Sequence, residues 1–65
     1  MRIIINGEER EVMSGQLDSV LLECGYENPA IATALNGTFI HRHLRGETRL
    51  TDGDRIEVVA PIEGG

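Results

Sequence analysis

Residues 50–60, LTDGDRIEVVA, decide the fold because they combine a tight turn with a strand that follows it directly. The Asp-Gly-Asp segment at 52–54 has the composition of a turn. In the strand, Ile56, Val58 and Ala60 alternate with Arg55, Glu57 and Val59. This alternation predicts a strand at 55–60 that buries one of its faces, and Pro61 ends it.

The first six residues, MRIIIN, form another β-branched stretch. Its two faces would hold Met1, Ile3 and Ile5 on one side, and Arg2 and Ile4 on the other. The Asn-Gly pair at 6–7 is typical of a two-residue hairpin, since both residues tolerate a positive φ. We therefore expect an antiparallel partner strand at about 9–13.

In the middle of the chain the spacing of apolar residues changes from strand-like alternation to a helical period. Residues spaced i, i+3, i+4 and i+7 would share one face of a short helix, and they are Leu17, Val20, Leu21 and Cys24. Gly25 is placed to end this helix, and Ser14 is a possible cap at its start. After it we expect strands at 30–35 and 38–40 around the Asn-Gly turn at 36–37, then an irregular polar segment at 41–48, with Leu50 as an anchor to the core.

The predicted order is therefore ββαββ followed by one final strand. Placing the last strand beside the first, and parallel to it, lets a single helix cover one face of one mixed sheet. This is the α+β arrangement called the β-grasp, with four to five strands. We expect one such domain at residues 1–61 and a flexible Gly-Gly tail at residues 62–65.

Composition narrows the class of protein. The net charge is −5, from 6 arginines and 11 acidic residues, without any lysine. Nucleic acids and anionic membranes select basic surfaces, so we expect neither as a partner, whereas a basic protein surface fits. Without lysine the chain offers no Schiff-base chemistry and no side-chain amine for an isopeptide bond. No apolar stretch resembles a signal peptide or a membrane span, so we expect a cytoplasmic protein.

The Gly64-Gly65 pair is the motif with chemical potential. Without a Cβ, two glycines can thread a channel too narrow for other residues, and they present only a carboxylate at the tip. That carboxylate is a poor electrophile, so a reaction there needs activation by a partner, most simply as an acyl-adenylate. An ordinary frayed terminus has the same composition, so the pair alone leaves both interpretations open.

Other segments of the chain support a functional interpretation of the Gly64-Gly65 pair. These are IIINGE at 3–8, ALNG at 34–37, LTDGDRIEVV at 50–59, Pro61 and the closing Gly64-Gly65. On these segments the chain resembles the ubiquitin-like sulfur carriers of thiamine biosynthesis and their relatives, the small subunits of molybdopterin synthase. The resemblance covers nearly the whole length, and the block at 52–59 is its most specific part. Glu63 departs from it, because many thiamine-type carriers have glutamine or a small neutral residue there.

The resemblance implies a protein co-substrate and not an enzyme. An adenylating enzyme of the ubiquitin-activating type would use ATP and magnesium to convert the Gly65 carboxylate to an acyl-adenylate, with Gly64 giving slim access. A persulfide from a cysteine desulfurase or a rhodanese-like protein would displace AMP and leave 1-thioglycine at Gly65. Thiazole synthase would then take the sulfur for thiamine. No cofactor or metal bound to the carrier itself is implied.

Two alternatives stay open. The same chemistry could serve molybdopterin or another pathway, although the short chain favours the thiamine type, since molybdopterin-type carriers are usually longer. A ubiquitin-like modifier that is attached to other proteins would have the same fold and tail.

Ile4 and Val59 are predicted on the face of the sheet opposite the helix. If the first and last strands are neighbours, these two apolar residues lie side by side there and form a docking patch for the activating enzyme. Scattered apolar surface residues are the ordinary alternative. We expect Pro61 and Ile62 to add partner contacts next to the domain.

The remaining reactive residues have ordinary explanations. Cys24 belongs to the apolar face of the helix, where a free cysteine acts as a small hydrophobe. His41 and His43 are only two ligands, and no third His or Cys is spaced to complete a metal site. The acidic residues at 8–11 and 52–54 are expected on a solvated rim and in a turn.

Overall fold

The structure, a computed structural model, describes residues 1–61, and the predicted tail at 62–65 lies outside the described residues. Residues 1–61 form a 5-stranded sheet with one α-helix and one 3₁₀ helix. The elements are β1 Arg2–Ile5, β2 Glu8–Glu11, α1 Leu17–Glu23, β3 Ala32–Leu35, β4 Thr38–Ile40, the 3₁₀ helix Arg42–Glu47 and β5 Arg55–Val59. Neither helix in this part of the chain is long and apolar enough to cross a membrane.

The strands lie in the order β2-β1-β5-β3-β4. β5 is parallel to β1 on one side and antiparallel to β3 on the other, while the two hairpins form the outer pairs. Each hairpin turns at an Asn-Gly pair, and Asn6 and Asn36 both adopt a φ of 49°, the left-handed conformation that a two-residue hairpin requires. The predicted position of the last strand is confirmed, and the arrangement is the β-grasp.

The core lies between one face of the sheet and α1. Alternate residues of β1 and β5 meet the apolar face of α1 in a cluster that includes Ile3, Ile5, Ile56, Val58, Leu17, Val20 and Leu21. The predicted anchor Leu50 is also buried in this cluster. Alternation in the strands and the helical spacing in α1 therefore predict the central contacts correctly.

Several boundaries differ from the sequence prediction. β3 begins at Ala32 and not at residue 30, because the Asn28 side chain accepts a hydrogen bond from the Ala30 N–H at 2.9 Å and holds a turn there. α1 begins after Gln16, which makes no side-chain cap. The predicted cap, Ser14, instead accepts a hydrogen bond from the Gln16 N–H before the helix starts. β2 ends at residue 11 and β5 at residue 59, both earlier than predicted.

The segment predicted to be irregular contains the 3₁₀ helix. Its core-facing residue is Arg45, which is only 7% exposed. The Arg45 Nε donates to the Thr33 hydroxyl at 3.0 Å, and the Nη2 donates to the Ile31 carbonyl. A charged residue can face inward here because its guanidinium finds acceptors in and just before β3. The prediction of an irregular segment was wrong.

Glu23, the last residue of α1, ties the loop before the helix to its end. Its two carboxylate oxygens accept hydrogen bonds from the Met13 and Ser14 N–H groups, each at 2.8 Å. These bonds favour the ionised form and lower the pKa of the Glu23 carboxyl below its usual value. The folded pKa therefore lies below the unfolded one, and the stabilisation is present at neutral pH.

We predict that this stabilisation is lost as the pH falls below the ordinary glutamate pKa of about 4.3 and through the lower folded pKa. Glu23→Gln should reduce the free energy of unfolding at neutral pH and weaken its dependence on acid. Urea denaturation across this pH range measures both effects. Glu47→Gln, which removes the same charge from the exposed surface, is the control. An equal change in the two variants would contradict a specific role for Glu23.

Candidate functional site

The last strand carries the chain through the middle of the sheet. β5 lies between β1 and β3, and the exposed residues Ala60 and Pro61 follow it. The predicted site residues Ile62, Gly64 and Gly65 lie outside the described residues. What the structure does define is their point of attachment, which is the end of the central strand.

The turn before β5 is held by its own carboxylates. Asp52 Oδ1 accepts a hydrogen bond from the Arg2 N–H at 2.7 Å, and Asp54 Oδ2 accepts one from the Thr51 N–H at 2.7 Å. Asn36 Nδ2 donates to Asp54 Oδ1 at 3.1 Å. The Thr51 N–H is the main cause of a lowered pKa of the Asp54 carboxyl. The predicted role of this segment as a turn is confirmed, and the turn joins the start of β5 to its neighbours.

The face of the sheet opposite α1 is open and has two halves. The side chains that alternate with the core residues lie on this face, and the strand register places them next to one another. One half, over β2, β1 and the start of β5, is termed the charged patch: Arg2, Glu9, Glu11, Arg55 and Glu57. The other half, over β3, β4 and the end of β5, is termed the apolar patch: Ala32, Ala34, Phe39 and Val59. Glu57 lies at the border of the two halves, because it pairs with Ala34.

The structure separates the two residues predicted to form one docking patch. Ile4 and Val59 both lie on the open face, Ile4 half-buried and Val59 63% exposed. However, Ile4 pairs with Arg55, which precedes Val59 by four residues, or about 13 Å along the strand. Ile4 therefore lies among the charged patch, and Val59 lies beside Ala32. The prediction that they are side by side was wrong, because alternation reveals the face of a residue but not its register.

Phe39 is the large exposed residue of this face, and it is not among the residues predicted to bind a partner. It pairs with Ala34 on β3, is 62% exposed, and meets the His41 ring edge-on with the centroids 6.2 Å apart. Alternation places Phe39 on the face opposite Thr38 and Ile40, but the sequence pattern alone does not show which face is buried; in the structure it is Ile40 that packs against the core. The exposed ring adds a large apolar surface to the apolar patch.

The other candidates lie away from this patch or at its margin. Cys24 is half-buried and packs against the core, as predicted. The His41 and His43 rings are stacked with centroids 5.0 Å apart, and His41 Nδ1 accepts a hydrogen bond from the His43 N–H at 3.4 Å. Within residues 1–61, no three His, Cys, Asp or Glu side chains are grouped as a metal site requires. The described features with most relevance to function are therefore the open face and the exit of β5.

Comparison with known proteins finds similarity over nearly the whole chain. The model of the ThiS family matches residues 3–65. A thiazole synthase of Paramagnetospirillum magneticum is 32% identical over 66 residues, which cover 100% of this chain and 20% of that protein. The chain thus spans about a fifth of the length of the curated relative that it matches.

Two solved structures share the fold. The crystal structure of the thiamine biosynthesis protein (ThiS) from Geobacter metallireducens superposes with a TM-score of 0.83, 23% sequence identity and coverage of 100% of both chains. The solution structure of a thiamine biosynthesis protein from the same organism gives a TM-score of 0.78 at 23% identity, over 100% of this chain and 88% of that one. At this identity the likeness establishes the fold.

Proposed function

The chain belongs to the ThiS family, and from this premise we propose that it is a sulfur carrier for thiamine synthesis and not an enzyme. The observation that carries the proposal is the position of β5, which is paired on both sides in the middle of the sheet and leads the chain to Pro61. A well-held strand suits a group that must be presented to a partner in one orientation. We propose the carboxylate of Gly65 as that group, with Gly64 as its slim neighbour.

The proposed reaction has three steps. The Gly65 carboxylate attacks the α-phosphate of ATP on a ubiquitin-activating-type adenylyltransferase that holds the magnesium, and pyrophosphate leaves. The terminal sulfur of a persulfide, on a cysteine desulfurase or a rhodanese-like protein, attacks the carbonyl carbon and expels AMP, which gives an acyl disulfide. A thiol then cleaves the sulfur–sulfur bond, becomes part of a disulfide itself, and leaves 1-thioglycine at residue 65.

Thiazole synthase is the proposed recipient of the sulfur. The thiocarboxylate is ionised at neutral pH and its sulfur is a softer nucleophile than a carboxylate oxygen, so it suits transfer to a carbon centre. The thiazole synthase that matches this chain over a fifth of its own length supports the pairing, because it holds a segment like this chain within one polypeptide. We propose that this chain and a separate thiazole synthase act as partners.

The open face is the proposed docking surface for the activating enzyme. The apolar patch includes Val59, the last residue of β5, so a partner that covers it also lies close to Ala60 and Pro61, from which the chain continues. Phe39 and Val59 are 62% and 63% exposed and would lose this surface to the partner. Ile4, Pro61 and Ile62 remain proposed contacts at the margins.

Intact mass spectrometry tests the proposed function. The chain is incubated with MgATP, the adenylating enzyme of the pathway from the same organism, a cysteine desulfurase and cysteine. We expect the mass to rise by the exchange of one oxygen for one sulfur, and to stay unchanged when ATP or the adenylating enzyme is left out. An unchanged mass under complete conditions would contradict the proposal. Adducts with other proteins, without any thiocarboxylate, would indicate a ubiquitin-like modifier instead.

A further inference from the structure

The side chains of the two Asn-Gly turns hold β5 near its two ends. Asn36 Oδ1 accepts a hydrogen bond from the Arg55 N–H at 3.0 Å, at the start of the strand. Asn6 Oδ1 accepts one from the Val58 N–H at 2.8 Å, close to the end of the strand. Both asparagines have a φ of 49°. The same side chain in the same backbone conformation therefore makes the same type of bond at two places, only one of which adjoins the exit of the chain.

The Asn6 bond extends the ladder between β1 and β5. The strand pairing ends at Ile5, opposite Ile56, where the chain turns away into the hairpin. The Asn6 N–H donates to the Ile56 carbonyl at 2.9 Å, and its side chain reaches the next N–H on this edge, that of Val58. The side-chain carbonyl thus stands where a longer β1 would place a backbone carbonyl. Asn6 Nδ2 also donates to the Tyr26 hydroxyl at 3.2 Å, which ties the turn to the loop after α1.

We propose that Asn6 is a positioning residue, which fixes the direction in which β5 presents the residues beyond Pro61 to the activating partner. On the opposite edge, the pairing with β3 continues to Val59. Without the Asn6 acceptor the end of β5 is held from one side only, and the Val58 N–H loses its partner. This inference rests on the proposed function, because a change in the direction of the chain after β5 would be detected as a change in the rate of Gly65 adenylation. A misplacement of about 1 Å far from the chemistry can slow a reaction about 10²-fold.

Asn6→Gly and Asn36→Gly are the matched test pair, since glycine accepts the positive φ and each variant removes one asparagine side chain from β5. Adenylation is followed as pyrophosphate release by the adenylating enzyme with MgATP, at increasing concentrations of the full chain. For Asn6→Gly we expect kcat to fall about tenfold with KM within about twofold, because the docking surface is intact. For Asn36→Gly we expect both constants within about twofold. Asn6→Asp, which keeps the acceptor, should recover most of kcat.

Three outcomes would overturn the inference. The first is an equal kcat for the two glycine variants when both show the same thermal unfolding. The second is a change in KM for Asn6→Gly with kcat unchanged, which would mean that Asn6 acts on docking and not on the direction of the chain. The third does not depend on any variant: in the wild-type chain the Val58 amide should exchange slowly with solvent, and fast exchange would remove the geometric basis. A wild-type chain that forms no adenylate would contradict the proposed function itself, while the Val58 exchange would still report on the hydrogen bond.

Discussion

Deletion of Gly65 should abolish thiocarboxylate formation by the 65-residue chain and leave its fold unchanged. Within residues 1–61 the buried core cluster runs from Ile3 to Val58, so the deletion variant keeps every residue of it. The shortened chain still offers a carboxylate, on Gly64, but its greatest possible reach from Pro61 is shorter by one residue, about 3.3–3.6 Å of extended chain. A displacement of this size takes the carboxylate out of reach of the activated phosphate. We expect intact mass spectrometry to find no sulfur-bearing product, while circular dichroism shows the wild-type melting curve.

Gly65→Ala is the matched control for this deletion, because it keeps the carboxylate at the wild-type distance and adds one methyl group. We expect Gly65→Ala to form the thiocarboxylate, because its length is unchanged. Its rate should be lower than that of the wild type, because the added methyl group makes the tail wider. Glu63→Gln removes the carboxylate that departs from the thiamine-type pattern and leaves the length of the tail unchanged. This variant should therefore also form the thiocarboxylate. A deletion variant that carries sulfur to the same extent as the wild type would show that residue 65 is not the attachment point.

The place of β5 beside β1 was predictable from the need to cover one sheet face with one helix. The elements along the chain and the core were predictable because they follow from local patterns. Alternation at 55–60 identified the buried face of β5, and the spacing of Leu17, Val20 and Leu21 identified the face of α1. The Asn-Gly pairs placed both hairpins, since their backbone conformation depends on two adjacent residues alone. These features need no information about distant parts of the chain.

The missed features depend on contacts between distant residues. The separation of Ile4 from Val59 is set by the register of β1 on β5, which neither strand encodes by itself. The 3₁₀ helix has no apolar periodicity because its inward residue is Arg45, whose guanidinium is satisfied by acceptors in and just before β3. A sequence pattern sees a polar segment there, and only the folded chain supplies the two acceptors.

Phe39→Asp should weaken binding of the activating enzyme more than any other single change on the open face. Truncation of a side chain at the well-packed centre of an interface can cost about 2 kcal/mol. For the large Phe39 ring we expect an effect of this size, which raises the Kd about 30-fold. Val59→Asp should follow, since it removes a smaller surface from the same patch. Ile4→Asp should have the smallest effect of the three, because Ile4 is half-buried among the charged patch. Isothermal titration calorimetry without ATP measures each Kd.

Leu22→Asp is the matched control for Phe39→Asp. Leu22 is also 62% exposed, but it lies on the outer side of α1, away from the open face. Both variants exchange one exposed apolar side chain for one carboxylate, so any change that comes from net charge alone is shared between them. An equal loss of affinity in the two would contradict docking through the apolar patch. Raising the salt concentration separates the causes further, because salt screens charge repulsion, whereas the lost burial of the Phe39 ring does not depend on that screening. A Phe39→Asp defect that persists in high salt would therefore assign the effect to the ring and to the surface that covers it.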